Sequence, residues 1–262
     1  MTESAFYLPR GEDRFLATEH TAGPWSPDAQ HFGPPSALLV RALERLPLSW
    51  PGRLSRVTVE ILGPAPLAEF SVQAKVERPG RSVELVTAEL VTDGRAVARA
   101  SAWRVIASDT AALATPAPVD CADWPAPQEC GPSGWPEGWH TGYLTAMEWR
   151  TVSGSVTGPG PAAVWVRQRV PLVAGEEPSP LQRLFTVADS GSGISNFLDP
   201  RRWWFINSEL TVHVQRVPEG EWIGLDAATV IGPDGVGVAT STLRDLGGAV
   251  ARGAQALMVR ER

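Results

Sequence analysis

The chain has 262 residues, 43% of them apolar and 20% charged, enough to bury one large core or two ordinary ones and too apolar for compositional disorder. Its 23 basic and 29 acidic residues leave a net charge of −6, the wrong sign for a general nucleic-acid binder. No apolar run approaches the roughly 20 residues of a membrane span, and Met1-Thr2-Glu3-Ser4-Ala5-Phe6 lacks the segments of a secretory leader, so a cytoplasmic protein without a membrane partner is expected.

A short strand is predicted near 14–20. Gly33-Pro34-Pro35 then introduces a helix over 36–46, since proline suits the first turn of a helix and not its middle. Runs rich in Val, Thr and aromatic residues follow at about 54–62, 68–78, 82–93 and 95–106, separated by the turn pairs Pro79-Gly80 and Asp93-Gly94. Residues 107–140 lose the strand pattern and carry six prolines between Pro116 and Pro136, which reads as a linker laid over the surface. Strands are predicted near 143–151 and 162–170, then a helix from about Leu181 to Leu198 with Ser179 as N-cap and Pro180 in its first turn. Four strand runs close the chain at about 205–216, 221–231, 235–245 and 248–260, divided by turns at Gly232-Pro233-Asp234-Gly235 and Gly247-Gly248.

This order is one unit written twice. Ala96-Val97-Ala98-Arg99 recurs as Ala249-Val250-Ala251-Arg252 at an offset of 153, and Val57-Thr58-Val59 faces Leu210-Thr211-Val212 at the same offset. Glu69-Phe70 faces Glu221-Trp222 at 152. A helix followed by a long antiparallel meander, twice over, predicts an α+β fold of two antiparallel sheets, each wrapped around a central helix. The two units, 1–106 and 141–262, are expected to pack as an internal pseudo-dimer, and homo-oligomerisation of whole chains stays open.

Several chemistries are disfavoured. Cys121 and Cys130 cannot supply a four-thiolate zinc site or a disulfide framework, and no metal motif is present. Lys75 is the only lysine, in a strand-like run, so neither a Walker loop nor an obvious Schiff-base site exists; no metal or cofactor is expected. Ser190 and Ser192 do not sit in a Gly-x-Ser-x-Gly elbow. His31, just before the first helix, is read as structural. His213 shares an alternating set with Asn207, Glu209, Thr211 and Gln215, expected on a solvated or subunit-contact face. Eleven tryptophans supply large apolar walls, with Trp203-Trp204-Phe205 expected to pack at the mouth of the fold.

The duplication itself marks a site. At offset 153, Asp189, Asn207 and Gln255 of the second half stand against Ser36, Leu54 and Ala102 of the first. A duplicated core has no need of a carboxylate and two carboxamides, and burying them is costly unless they are paired or used. They are the candidate catalytic residues of a single site per chain.

The run Ala188-Asp189-Ser190-Gly191-Ser192-Gly193, then Phe205-Ile206-Asn207-Ser208-Glu209-Leu210-Thr211-Val212-His213, then Glu221-Trp222 and Ala254-Gln255-Ala256-Leu257, resembles the double-hotdog acyl-CoA thioesterases. The resemblance spans most of the chain outside the linker. It implies a double hotdog that hydrolyses an acyl-CoA or acyl-carrier-protein thioester to free acid and thiol, in fatty acid metabolism. It matches Asp189 and Gln255 to the family's catalytic Asp and Gln, and sets Asn207 where the family carries Thr. Asp189 would then be general base toward water, with Asn207 and Gln255 holding that water. Backbone N–H groups around Ser190, Gly191, Ser192 and Gly193 would meet the substrate oxyanion, since each glycine costs a helix roughly 1 kcal/mol and marks an irregularity there. Two alternatives stay open. One is a hydratase or dehydratase of acyl thioesters, which would need a histidine brought to Asp189 in space, such as His213 or His140. The other is a non-catalytic acyl-CoA binder.

Overall fold

The structure, a computed structural model, describes residues 4–48, 50–115, 124–137, 139 and 142–262; Cys121 and His140 lie outside the described residues. The first half runs β1 (Tyr7–Pro9), β2 (Arg14–Ala17), α1 (Gly33–Glu44), β3 (Gly52–Ile61), β4 (Glu69–Arg78), β5 (Val83–Thr92) and β6 (Arg95–Ile106). The second runs β7 (Gly131–Pro132), α2 (Gly142–Ala146), β8 (Met147–Ser153), β9 (Ala162–Gln168), α3 (Pro180–Ala188), α4 (Gly191–Ile194), β10 (Trp203–Asn207), β11 (Glu209–Val214), β12 (Ile223–Ile231), β13 (Val236–Asp245) and β14 (Gly248–Glu261). Period-two patterning sets which face each strand buries: along β5, Glu84, Val86, Ala88, Leu90 and Thr92 are buried and their neighbours are not.

The expected pair of sheets is in fact one. The order is β1-β2-β4-β5-β6-β3-β11-β14-β13-β12-β9-β8-β7, with β10 also on β14. The seam is the β3–β11 ladder, where Val57 pairs with Val212, Thr58 with Thr211 and Val59 with Leu210. Two separate sheets would each leave a long apolar edge with unpaired N–H and C=O groups; joining them removes both.

The offset of 153 survives as strand register. Thr58 pairs with Ser101 as Thr211 pairs with Ala254. Thr87 pairs with Ser101 as Thr240 pairs with Ala254, and Ser71 with Val91 as Gly224 with Arg244. At the seam, Thr58 Oγ1 and Thr211 Oγ1, 153 positions apart, meet at 3.1 Å. Within the strands the offset does not fall to 152.

A break in register follows the same offset. Between Leu54 and Arg56 the β3–β6 ladder slips, and at the matching place Ser208 separates β10 from β11. The predicted strand over 205–216 is therefore two strands, and the inward side changes parity: Phe205 is buried before the break, Leu210 and Val212 after it. Asn207 consequently turns inward, while His213 is exposed. They do not share a face, contrary to the alternation read from the sequence.

The helices depart from prediction more than the strands. α1 begins at Gly33, with Pro34 and Pro35 inside its first turn. Gly33 is required there because a Cβ would run into the Thr186 carbonyl oxygen of α3. α1 packs on β3, β4, β5, β6 and α3, and α3 packs on β9, β12 and β13. Ser179 caps α3 by accepting the Gln182 N–H at 3.1 Å and donates to Glu44 of α1 at 2.8 Å. The predicted helix over 181–198 breaks after Ala188, and the segment before β8, predicted as strand from 143, is the short helix α2. The Ser36–Asp189 match also fails: Ser36 lies in the first turns of α1, whereas Asp189 is the C-cap of α3. The Leu54–Asn207 and Ala102–Gln255 matches hold in the ladders.

Candidate active site

Asp189 sits where α3 ends. Its carboxylate is 6% exposed and forms part of the wall of a cavity of about 480 Å³. Each oxygen has defined neighbours. Oδ1 accepts from Asn207 Nδ2 at 2.8 Å and from Gln255 Nε2 at 3.2 Å. The Phe32 N–H, at the start of α1, also donates to the carboxylate. Oδ2 lies 3.6 Å from His31 Nδ1. Burial raises the Asp189 pKa from 3.8 to about 7, against the three donors, which pull it down.

Gln255 works behind the carboxylate. Its Nε2 also donates to the Asp189 carbonyl at 3.0 Å, and its Oε1 accepts the Ser192 N–H at 2.9 Å. Both ends of the amide are therefore committed, fastening the α3–α4 break to β14. Gly191 allows this, since a Cβ there would stand 2.9 Å from Gln255 Oε1. The Ser192 N–H is spent on the same bond, so it is not an oxyanion donor, and Gln255, which does not reach the cavity, is not placed to hold water. Asn207 spends its amino group on Asp189 and on the Glu209 carbonyl at 3.2 Å, which leaves Oδ1 as an acceptor in the cavity wall. Ser190, Ser192 and Gly193 also line the cavity, with Ser190 Oγ 2.9 Å from Tyr143 Oη. Gly191 lies behind it.

The structure adds two residues. His31 lines the cavity and stacks on Tyr143, ring centroids 3.8 Å apart at 9°. His31 Nδ1 accepts the Gly33 N–H at 3.0 Å, so the proton of the neutral ring is on Nε2. Burial lowers the His31 pKa to about 3, and the ring near neutral pH is uncharged; its proximity to Asp189 is a contact rather than an ion pair. Tyr143 donates to the Thr186 carbonyl at 2.9 Å. No local signal in the sequence joins residues 31, 143 and 189: the α1–α3 crossing brings His31 to Asp189, and α2 carries Tyr143 to the Thr186 carbonyl of α3. Trp25, Trp135, Trp139, Trp149, Leu144 and Phe205 contribute to the apolar wall. Of the aromatic triplet, Phe205 reaches the cavity while Trp204 lies outside it against Trp25, ring centroids 5.6 Å apart. Among the described residues no group of His, Cys, Asp and Glu is arranged to hold a metal ion.

Two family profiles match the chain: the acyl-CoA thioesterase N-terminal domain over residues 21–105 and the C-terminal domain over 127–259. The chain belongs to the acyl-CoA thioesterase family. Solved structures similar to this thioesterase agree in fold. A hot dog fold protein of unknown function from Alicyclobacillus acidocaldarius has a TM-score of 0.76 at 16% identity, covering 96% of this chain and 95% of its own. A thioesterase II candidate from Thermobifida fusca has a TM-score of 0.75 at 20% identity, covering 99% of both chains. An acyl-CoA thioesterase II from Mycobacterium marinum has a TM-score of 0.64 at 14% identity, covering 98% of this chain and 95% of its own. Among curated proteins none matches. Among the described residues, no helix of the thioesterase is long and apolar enough to cross a membrane.

Proposed function

We propose that this thioesterase hydrolyses its acyl thioester by direct attack of a water activated by Asp189. The observation that carries this is a buried carboxylate in the cavity wall, one oxygen pinned by two amides, with its pKa raised to about 7. A base poised near the working pH is both available and strong enough to take a proton. Asp189 accepts a water proton as the hydroxyl adds to the thioester carbonyl carbon. Collapse of the tetrahedral intermediate breaks the C–S bond, and the leaving thiolate takes that proton back. Asn207 Oδ1 accepts the second water hydrogen. His31 Nε2–H, neutral and at the cavity, is the donor available to the carbonyl oxygen as it becomes negative. The acyl group lies against the tryptophan wall.

We read the halves as a double hotdog, units 1–106 and 141–262 joined by the linker 107–140 and related by a pseudo-two-fold axis near Thr58 and Thr211. One site per chain follows, because Leu54 and Ala102 occupy the positions of Asn207 and Gln255 in the other half.

Hydration or dehydration deserves weighing because His31 supplies the histidine that the sequence did not set beside Asp189. That chemistry needs the ring to exchange a proton. Here Nδ1 is tied to the Gly33 N–H and protonation is suppressed to a pKa of about 3, which favours hydrolysis. The test is thiol release from a panel of acyl-CoAs. Asp189→Asn is expected to lower kcat by about 10²–10⁴-fold, the usual range for a general base, with the fold intact. Full activity in a folded Asp189→Asn would refute the role. Tight acyl-CoA binding without turnover by the unaltered protein would instead make it a binder.

A further inference from the structure

β3 leaves the sheet at Ile61, whose N–H donates to the Ser208 carbonyl, and beyond that point the edge of β10 borders the cavity. Ile206 and Met258, paired across β10 and β14, both line it. The next pair on the same face is Trp204 with Arg260, and beyond it the Arg262 N–H donates to the Arg202 carbonyl. The Arg262 guanidinium lies 3.8 Å from the centre of the Trp204 ring and 5.6 Å from that of Trp25, itself a cavity residue. A stripe thus runs unbroken from the cavity mouth to an indole flanked by arginines.

The charges on this stripe are unevenly answered. Arg201 is bonded to Asp199, and Arg202 stands 3.6 Å from Glu261. Arg260 and Arg262 are exposed and form no ion pair among the described residues, on a chain whose net charge is −6. From Leu257, opposite Asn207, to Arg262 is five residues of strand, a reach of about 17 Å, which an extended pantetheine arm covers.

We propose that Trp204, Arg260 and Arg262 form a docking platform for the 3′-phosphorylated adenine nucleotide of coenzyme A. The purine stacks on the Arg262 guanidinium that lies over the Trp204 indole, and the edges of the Arg260 and Arg262 guanidinium forks take phosphate oxygens, pairings that suit a flat base and a dianionic group. The platform selects the carrier of the acyl group, whereas the tryptophan-lined cavity selects the acyl group itself. It rests on the reading of acyl-CoA as substrate.

The test compares one acyl group presented on coenzyme A and on pantetheine. With Arg260→Ala/Arg262→Ala, and with Trp204→Ala, KM for acyl-CoA is expected to rise about tenfold or more at unchanged kcat, the loss of one or two charged hydrogen bonds or a stacked base. Acyl-pantetheine kinetics should not change. High salt should raise KM for acyl-CoA alone. An unchanged acyl-CoA KM, an equal rise for acyl-pantetheine, or a defect confined to acyl-carrier protein would each overturn the assignment. Binding of 3′,5′-ADP to Asp189→Asn requires no turnover. It should match the wild type and weaken about tenfold when the two arginines are removed, so failure of the platform and failure of the Asp189 mechanism are told apart.

Discussion

Asp189 and His31 are buried beside each other with opposite protonation preferences, and both are neutral in the forms that burial favours. The consequence for rate is direct. With a base of pKa about 7, kcat/KM should rise with pH and level off only above neutrality. A profile already flat by about pH 5, as for an ordinary carboxylate, would contradict the site. The consequence for stability has two signs. The Asp189 pKa is raised on folding, so its stabilising contribution is complete below about 3.8 and is lost as pH rises to about 7. The His31 pKa is lowered from 6.5 to about 3, so its contribution is complete above 6.5 and is lost as pH falls toward 3. Each slope is at most about 1.4 kcal/mol per pH unit, and between them they largely cancel near pH 4–6. Asp189→Asn should expose a stability that climbs with pH in this window, and His31→Gln one that declines. Thermal melts of the two variants from pH 4 to 8 check this; parallel curves would show that neither group is perturbed.

At the scale of elements, the site is assembled from interruptions. α3 stops at Asp189, β10 stops at Asn207, and Gln255 ties the first break to β14. Gly191→Ala ordinarily gains up to about 1 kcal/mol of helix propensity. Here the new Cβ meets Gln255 Oε1, so a lower melting temperature and a lower kcat are expected together. Gln255→Ala leaves the buried Ser192 N–H unpaired at a cost of about 1–3 kcal/mol and frees one donor from Asp189. It should therefore depress stability more than Asp189→Asn does while reducing kcat less. Equal loss of kcat in the two variants would move Gln255 from a positioning to a direct role. The strand runs were legible because Val, Thr and aromatic residues alternate between clear turn pairs. The stop at Ser208 carries no glycine or proline, so the sequence showed one strand where there are two, and the wrong face for Asn207.

The whole molecule depends on the seam. β3 and β11 sit in the middle of a continuous sheet, and α1 and α3 pack against each other on it. Arg41 reaches across to Glu176 at 2.7 Å, and Glu44 to Ser179 and Gln182. With so many of each half's groups satisfied by the other, unfolding should be one cooperative transition rather than two. Calorimetry resolving two independent peaks would show that the halves are self-sufficient and that the seam is weak.

Repetition, strand pattern and the polar replacement of Leu54 and Ala102 by Asn207 and Gln255 belong to the sequence alone. They are properties of local order and of one fixed offset, which the ladders preserve as register. The union of two sheets into one, the break that turns Asn207 inward, the failure of the Ser36–Asp189 match and the arrival of His31 and Tyr143 at the site were decided by tertiary structure. Each arises where two elements far apart in the chain compete for the same space: β3 with β11 for edge hydrogen bonds, α1 with α3 for the crossing at Gly33. A linear pattern carries no record of such contacts, because the groups that make them are ordinary in their own neighbourhoods and become chemical only when burial raises one pKa and lowers the other.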